Sequence, residues 1–94
     1  MTDDTRLSNL RTEIKQVTLD IIRLAGKRTA LAQHIAKEKL KIGLPLVNRN
    51  VERNLRREVT EQCQRDQSDP MFALRLLNEL IAESVRTQES HQTI

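Results

Sequence analysis

The sequence predicts an all-α protein of three helices per chain, and three observations carry that prediction. Apolar residues recur in steps of three and four, the period of a helix face, and nowhere alternate in the manner of a strand. Only two Gly and two Pro occur in 94 residues, and three of those four fall at segment boundaries. No internal repeat interrupts this pattern, so a single domain over residues 1–94 is expected.

The first helix is expected over about 7–42. Its apolar stripe runs Leu7, Leu10, Ile14, Val17, Ile21, Leu24, then Arg28, then Leu31 and Ile35, and Gly43 with Pro45 stops it. Gly26 lies inside it at a cost of about 1 kcal/mol against alanine. Close packing of another helix is the usual reason, and Gly26 is assigned no chemistry. The second helix is expected over about 48–65, with Asn48 as N-cap and Val51, Leu55, Val59 and Cys63 four residues apart. Ser68-Asp69-Pro70 announces the third, over about 70–90, with Asp69 as cap and Pro70 in the first turn. Its apolar residues are Phe72, Ala73, Leu76, Leu77, Leu80, Ile81 and Val85, and His91 to Ile94 are expected to fray.

A first helix of about 36 residues is roughly 54 Å long. A compact chain of this size has a radius of gyration near 12 Å, hence a diameter of roughly 30 Å. Two shorter helices cannot cover so long a stripe within one ball. The economical solution is a second copy lying antiparallel, giving an intertwined homodimer. The alternative is a helix broken near Gly26, which would allow a compact monomer.

Composition removes several functional classes. The formal net charge is +3 with acids and bases both plentiful, a mild basic bias without a polybasic block. One Phe, no Trp and no Tyr leave no aromatic platform for stacking bases. Cys63 is alone, so neither a disulfide framework nor a cysteine zinc site is available, and a small core residue in a reducing compartment is expected. No apolar run resembles a signal peptide or reaches the roughly 18 residues of a membrane span, so a cytoplasmic protein is expected.

Arg28 is the most informative residue. A permanent cation stands where the stripe calls for leucine, and burial demands an anion opposite it: a carboxylate of the protein, or a ligand. Lys39 lies three turns further on, nearly on the same face, although a lysine near a helix end is ordinarily solvated. On the third helix the stripe Leu77, Ile81 continues into Ser84 and Gln88, which could equally bond backbone or occupy a wetter end. Glu52 opens the second helix, where the dipole alone favours a carboxylate. Together these residues outline a site for a compact dianion bearing a hydroxyl, with cations at 28 and 39, donors at 84 and 88, and an acceptor at 52. Arg11 is seventeen residues from Arg28, about 25 Å along one helix. The two cannot grip one small ligand from the same chain, but in an antiparallel dimer Arg11 can approach Arg28 of the other copy.

Five stretches in this order and spacing resemble the all-helical class of chorismate mutases: L-S-N-L-R-T-E-I around Arg11, K-R-T-A-L-A around Arg28, I-A-K-E-K-L around Lys39, the segment from Pro45 to Glu52, and E-S-V-R-T-Q from Glu83 to Gln88. The resemblance covers about Leu7 to Gln88. It implies an intertwined three-helix dimer with two active sites that converts chorismate to prephenate in aromatic amino acid biosynthesis. Carried over, Arg28 and Arg11 from the partner chain would hold the substrate carboxylates. Lys39 and Gln88 would flank the breaking ether bond. Glu52 would accept from the ring hydroxyl with Asn48 nearby, and Ser84 would assist at a carboxylate.

The reaction is a Claisen rearrangement, in which one C–O bond breaks and one C–C bond forms within a molecule. It requires no cofactor, no metal and no nucleophile, only a folded substrate and stabilised charge on the ether oxygen. The sequence holds no catalytic triad, phosphate loop or metal cluster, and His34 and His91 are expected at the surface. Two departures stand out: family members often carry aspartate where this chain has Asn48 and arginine where it has Val51. Arg49, on the face of Glu52, could compensate for the second. Because residue 88 is glutamine, activity is expected to stay flat between about pH 6 and 8.

Two other functions fit parts of the sequence. An isochorismate–pyruvate lyase can be built on the same fold with a similar anion site. A non-catalytic helical dimer could bind nucleic acid through Arg49, Arg53, Arg56 and Arg57, but Glu52, Glu58 and Glu61 interrupt that face, and no nucleic-acid or membrane partner is expected. The chain stops soon after the third helix, so a monofunctional enzyme without a regulatory segment is expected.

Overall fold

The computed structural model describes residues 2–45 and 47–92, and within them three helices and no strand: α1 over Asp3–Ile42, α2 over Arg49–Asp66 and α3 over Pro70–Gln92. The fold is all-α. Helix α1 begins four residues before the expected Leu7. The Thr2 side chain accepts from the Thr5 backbone at 3.2 Å, and Asp3 and Asp4 place acidic groups at the positive end of the dipole. That cap precedes the first apolar residue, so periodicity alone misses it. At the other end Gly43 takes φ 71° and its N–H bonds the Lys39 carbonyl, the left-handed cap that glycine adopts without a steric cost.

Asn48 caps α2 as expected, its Oδ1 accepting from Asn50 N and Val51 N, both at 3.1 Å. The helix ends on Gln67 at φ 56°, whose N–H bonds the Cys63 carbonyl. A non-glycine residue there costs about 1–2 kcal/mol, and nothing in the local sequence signals it. Asp69 Oδ1 accepts from Met71 N at 2.9 Å, which fixes the start of α3 at Pro70. Helix α3 continues to Gln92. The fraying expected at the C-terminus concerns Thr93, Ile94 and the side chains of His91 and Gln92, which lie outside the described part.

Helix α3 packs against both α1 and α2, while the backbones of α1 and α2 do not approach each other among the described residues. A cavity is left between them. Ala32 and Ala36 of α1, Cys63 of α2 and Leu77 of α3 form the small core. The face that α1 turns to α3 thus carries alanines, which let the helices come close, rather than the expected Leu31 and Ile35, which stay about half exposed. Cys63 is buried with a free thiol.

The protomer is not a ball. It measures 61 × 29 × 15 Å with a radius of gyration of 17.6 Å, well beyond the roughly 12 Å of a compact chain. Helix α1 runs unbroken through Gly26, which overturns the alternative of a compact monomer broken there. A Cβ built at Gly26 would meet nothing within 4 Å, so close helix packing within the protomer does not explain that glycine. The N-terminal half of α1 projects alone. Leu7, Leu10, Ile14, Val17, Ile21 and Leu24 all remain 47–66 % exposed along it.

Candidate active site

Three helices converge on a cavity of about 480 Å³. Arg28 and Lys39 enter it from α1, Asn48 and Glu52 from the start of α2, and Ser84 and Gln88 from α3. Its apolar lining includes Leu31 and Ile35 of α1, Val51 and Leu55 of α2, and Ile81 and Val85 of α3. The size is that of a small-molecule site, with a greasy wall and a few convergent polar groups. Six of the seven sequence-selected residues therefore meet in one place.

Arg11 does not join them. It lies with Leu10, Glu13, Ile14 and Val17 along a separate open groove on the projecting half of α1. Arg49 lies beside the cavity, in an adjoining groove that shares Lys39 and Asn48 with it. On the outer side of α2, Arg49, Glu52, Arg53 and Arg56 border a shallow depression, and Arg57 pairs with Glu61 at 3.9 Å.

Why the sites of charge hold together follows from helix geometry. Positions 28, 32, 36 and 39 share one face of α1, so the buried alanines that seat α1 on α3 also bring Arg28 and Lys39 to α3. Arg28 Nη1 donates to the Leu80 carbonyl at 2.8 Å and to Ser84 Oγ. Ser84 Oγ in turn donates to Leu80 O at 3.0 Å. Among the described residues Arg28 has no carboxylate partner, so the half-buried guanidinium is hydrogen-bonded but its charge is not neutralised. The ordinary expectation of an internal ion pair is not met.

Gln88 is buried at 7 % exposure, and its Oε1 accepts from Lys39 Nζ at 3.4 Å. That bond turns the amide nitrogen, a pure donor, away from the lysine. At Asn48 the two capping bonds occupy the side-chain oxygen and leave the amide N–H groups as its outward face. Arg86 lies outside the cavity lining on α3. Its hydrogen bond to Glu83 and that carboxylate's charge hold its pKa above the ordinary arginine value.

Sequence reasoning missed the Leu80 carbonyl, since any residue type supplies one. Apart from Val51, it also missed the apolar lining, whose members read as core. His34 is exposed on α1, away from the cavity. Among the described residues no three His, Cys, Asp or Glu side chains are grouped to hold a metal, and no helix is long and apolar enough to cross a membrane.

The family model for chorismate mutase type II matches residues 10–89. No curated protein matches the chain.

Proposed function

The chain belongs to the type II chorismate mutase family, and on that premise we propose that its cavity converts chorismate to prephenate, by preorganising the dianion and stabilising charge on the ether oxygen. The observation that carries the reading is Arg28, a half-buried cation whose protein partners are neutral. Such a group favours an anionic ligand, and the cavity beside it is the space for one.

Roles follow from donor chemistry. Arg28 binds a substrate carboxylate, and Ser84 supports that end of the cavity. Lys39 and the Gln88 amide nitrogen flank the ether oxygen, where negative charge grows as the C–O bond breaks. Glu52 accepts from the ring hydroxyl while Asn48, with its oxygen spent on the cap, donates to it. The apolar wall of Leu31, Ile35, Val51, Leu55, Ile81 and Val85 excludes water and holds the enolpyruvyl arm over the ring, converting flexibility into a near-attack geometry. Neither the mechanism nor the donor set needs a proton transfer.

We further infer that the active unit is an antiparallel homodimer, in which the projecting half of one α1 covers its partner and brings Arg11 to the partner's cavity. The support is the half-exposed stripe from Leu7 to Leu24 and the separation of Arg11 from its own cavity.

The test is loss of chorismate absorbance with purified protein beside Arg28→Ala and Lys39→Ala. Removing one preorganised donor to a developing oxyanion typically costs about 10²–10³ in kcat. Active wild type with both variants reduced by that order supports the reading. A folded wild type that leaves chorismate untouched refutes it, and pyruvate release from isochorismate would identify the lyase in its place.

A further inference from the structure

We propose that Arg49, Arg53 and Arg56 form a basic rim beside the cavity, which gathers the dianionic substrate from solution and lowers its KM by charge alone. This rests on the reading of the cavity as the site of a small dianion, and it gives that site a second set of charges.

The rim is a depression of about 290 Å³ on α2, bordered by these three arginines and Glu52. Arg49 and Arg56 stand three residues before and four residues after Glu52, the spacing of surface ion pairs on a helix. No such pair forms. Among the described residues neither Glu52 nor any of the three arginines has an ion-pair partner. Arg56 is half-buried as well, where an unpaired cation keeps less of its hydration. By contrast Arg57, the next residue, pairs with Glu61. The three charges of the rim are therefore uncompensated, and they stand together.

Two routes join the rim to the cavity. Glu52 lines both. Arg49 also lines the adjoining groove, whose Lys39 and Asn48 belong to the cavity. Across the two hollows the charged lining is Arg28, Lys39, Arg49, Arg53 and Arg56 against Glu52 alone, among the described residues. A patch so nearly of one sign raises the local concentration of an anion and its rate of encounter. The length of the rim suits a small ligand, since residues 49 to 56 span about 10 Å of helix. Glu58 and the Arg57–Glu61 pair end the run there, whereas a polyanion would need it to continue.

Rim charges act at a distance, so they respond to the net charge of the ligand rather than to its shape. That charge is the same in substrate and transition state, so the rim changes KM and leaves kcat alone. One unit charge about 10 Å from a dianion in water shifts its binding by roughly threefold at 0.01 M ionic strength and roughly 1.5-fold at 0.15 M.

The experiment has two arms, both on the full chain. The first compares relaxation of backbone amides in the ligand-free protein by an anionic nitroxide and by its cationic counterpart, at low salt. The anionic probe is expected to relax the amides of residues 49–56 more strongly, and Arg53→Gln/Arg56→Gln to remove about half of that excess or more. Equal relaxation by the two probes in the wild type overturns the rim, whatever the protein does to chorismate. The second arm is steady-state turnover of chorismate. The same double variant is expected to raise KM roughly sevenfold at 0.01 M ionic strength and roughly twofold at 0.15 M, with kcat unchanged. Arg53→Lys/Arg56→Lys, which retains both charges, is expected to keep the wild-type KM. An unchanged KM in the glutamine variant sinks the proposal, as does a loss that salt does not diminish or that lysine does not rescue. A wild type inert toward chorismate whose rim still draws the anionic probe upholds the gathering of anions and removes the proposed reaction alone.

Discussion

Replacing Ile14 by aspartate tests the dimer at its most exposed point. Ile14 is 66 % exposed in the protomer, between Leu10 at 58 % and Val17 at 55 %. Fully burying such a side chain is worth about 1.5–3 kcal/mol, so covering two thirds of it contributes about 1–2 kcal/mol. Two-fold symmetry repeats the contact, giving about 2–4 kcal/mol per dimer before the cost of burying a carboxylate. At 1.4 kcal/mol per decade, dissociation should strengthen by about 30-fold to 1,000-fold. The protomer itself loses little, because the position is open and aspartate and isoleucine differ modestly in helix propensity. Sedimentation velocity over a concentration series reads the outcome. Wild type should run at twice the 10.9 kDa chain mass and Ile14→Asp at the chain mass in the low micromolar range, with helicity retained. Chorismate turnover should fall with the dimer and recover as concentration rises. A wild type that is monomeric and fully active refutes the interface, and a monomeric, fully active variant refutes the delivery of Arg11 across it.

Three further predictions probe separate parts of the argument. Gln88→Glu should make activity fall as pH rises, because only the protonated carboxyl can donate to the ether oxygen, whereas the wild type should stay flat between about pH 6 and 8; a flat profile for the variant removes residue 88 as a donor. Arg49→Ala should raise KM for chorismate several-fold if Arg49 reaches from its groove toward Lys39 and Asn48, and an unchanged KM excludes that reach. Asp69→Ala deletes the bond to Met71 N far from the cavity; it should cost about 1 kcal/mol and lower Tm by about 4–8 °C, with kcat and KM unmoved, as calorimetry and turnover together would show.

The fold was legible where side chains signal backbone chemistry. Asn48, Asp69 and Gly43 marked helix ends correctly because each supplies a cap oxygen or a left-handed conformation that few residue types supply. Gln67 escaped because it takes the left-handed cap without the residue type that advertises it. The packing face of α1 was misjudged by one position: leucine and isoleucine outweigh alanine in any hydrophobic pattern, yet Ala32 and Ala36 are buried while Leu31 and Ile35 line the cavity. The polar residues were legible for the opposite reason. Arg28, Ser84 and Gln88 stood where core residues belong, and a misplaced polar group is informative because burying it has a cost. What no pattern could reveal was the Leu80 carbonyl, or that Ser84 faces Arg28 as an acceptor.

The charges of the cavity explain why Arg28 is left without an internal carboxylate. Among the described residues that line the cavity, Arg28 and Lys39 are cations and Glu52 is an anion, a balance of one positive charge. Arg11 from a second copy would raise that to two, the charge a dianion neutralises. An internal ion pair to Arg28 would cancel this attraction and make the site indifferent to the substrate. On the proposed reading, however, the cations do two different jobs. Carboxylates are carboxylates before, during and after the rearrangement, so in the proposed roles Arg28 and Arg11 would bind substrate and transition state almost equally and mainly set affinity and pose. The ether oxygen gains charge only as its bond breaks, so in the proposed roles Lys39 and Gln88 would act where binding changes along the reaction, and theirs would be the part of the site that accelerates it. The bond between Lys39 and Gln88 Oε1 would serve that end, because an amide held by its oxygen turns its nitrogen toward the position where the charge would form.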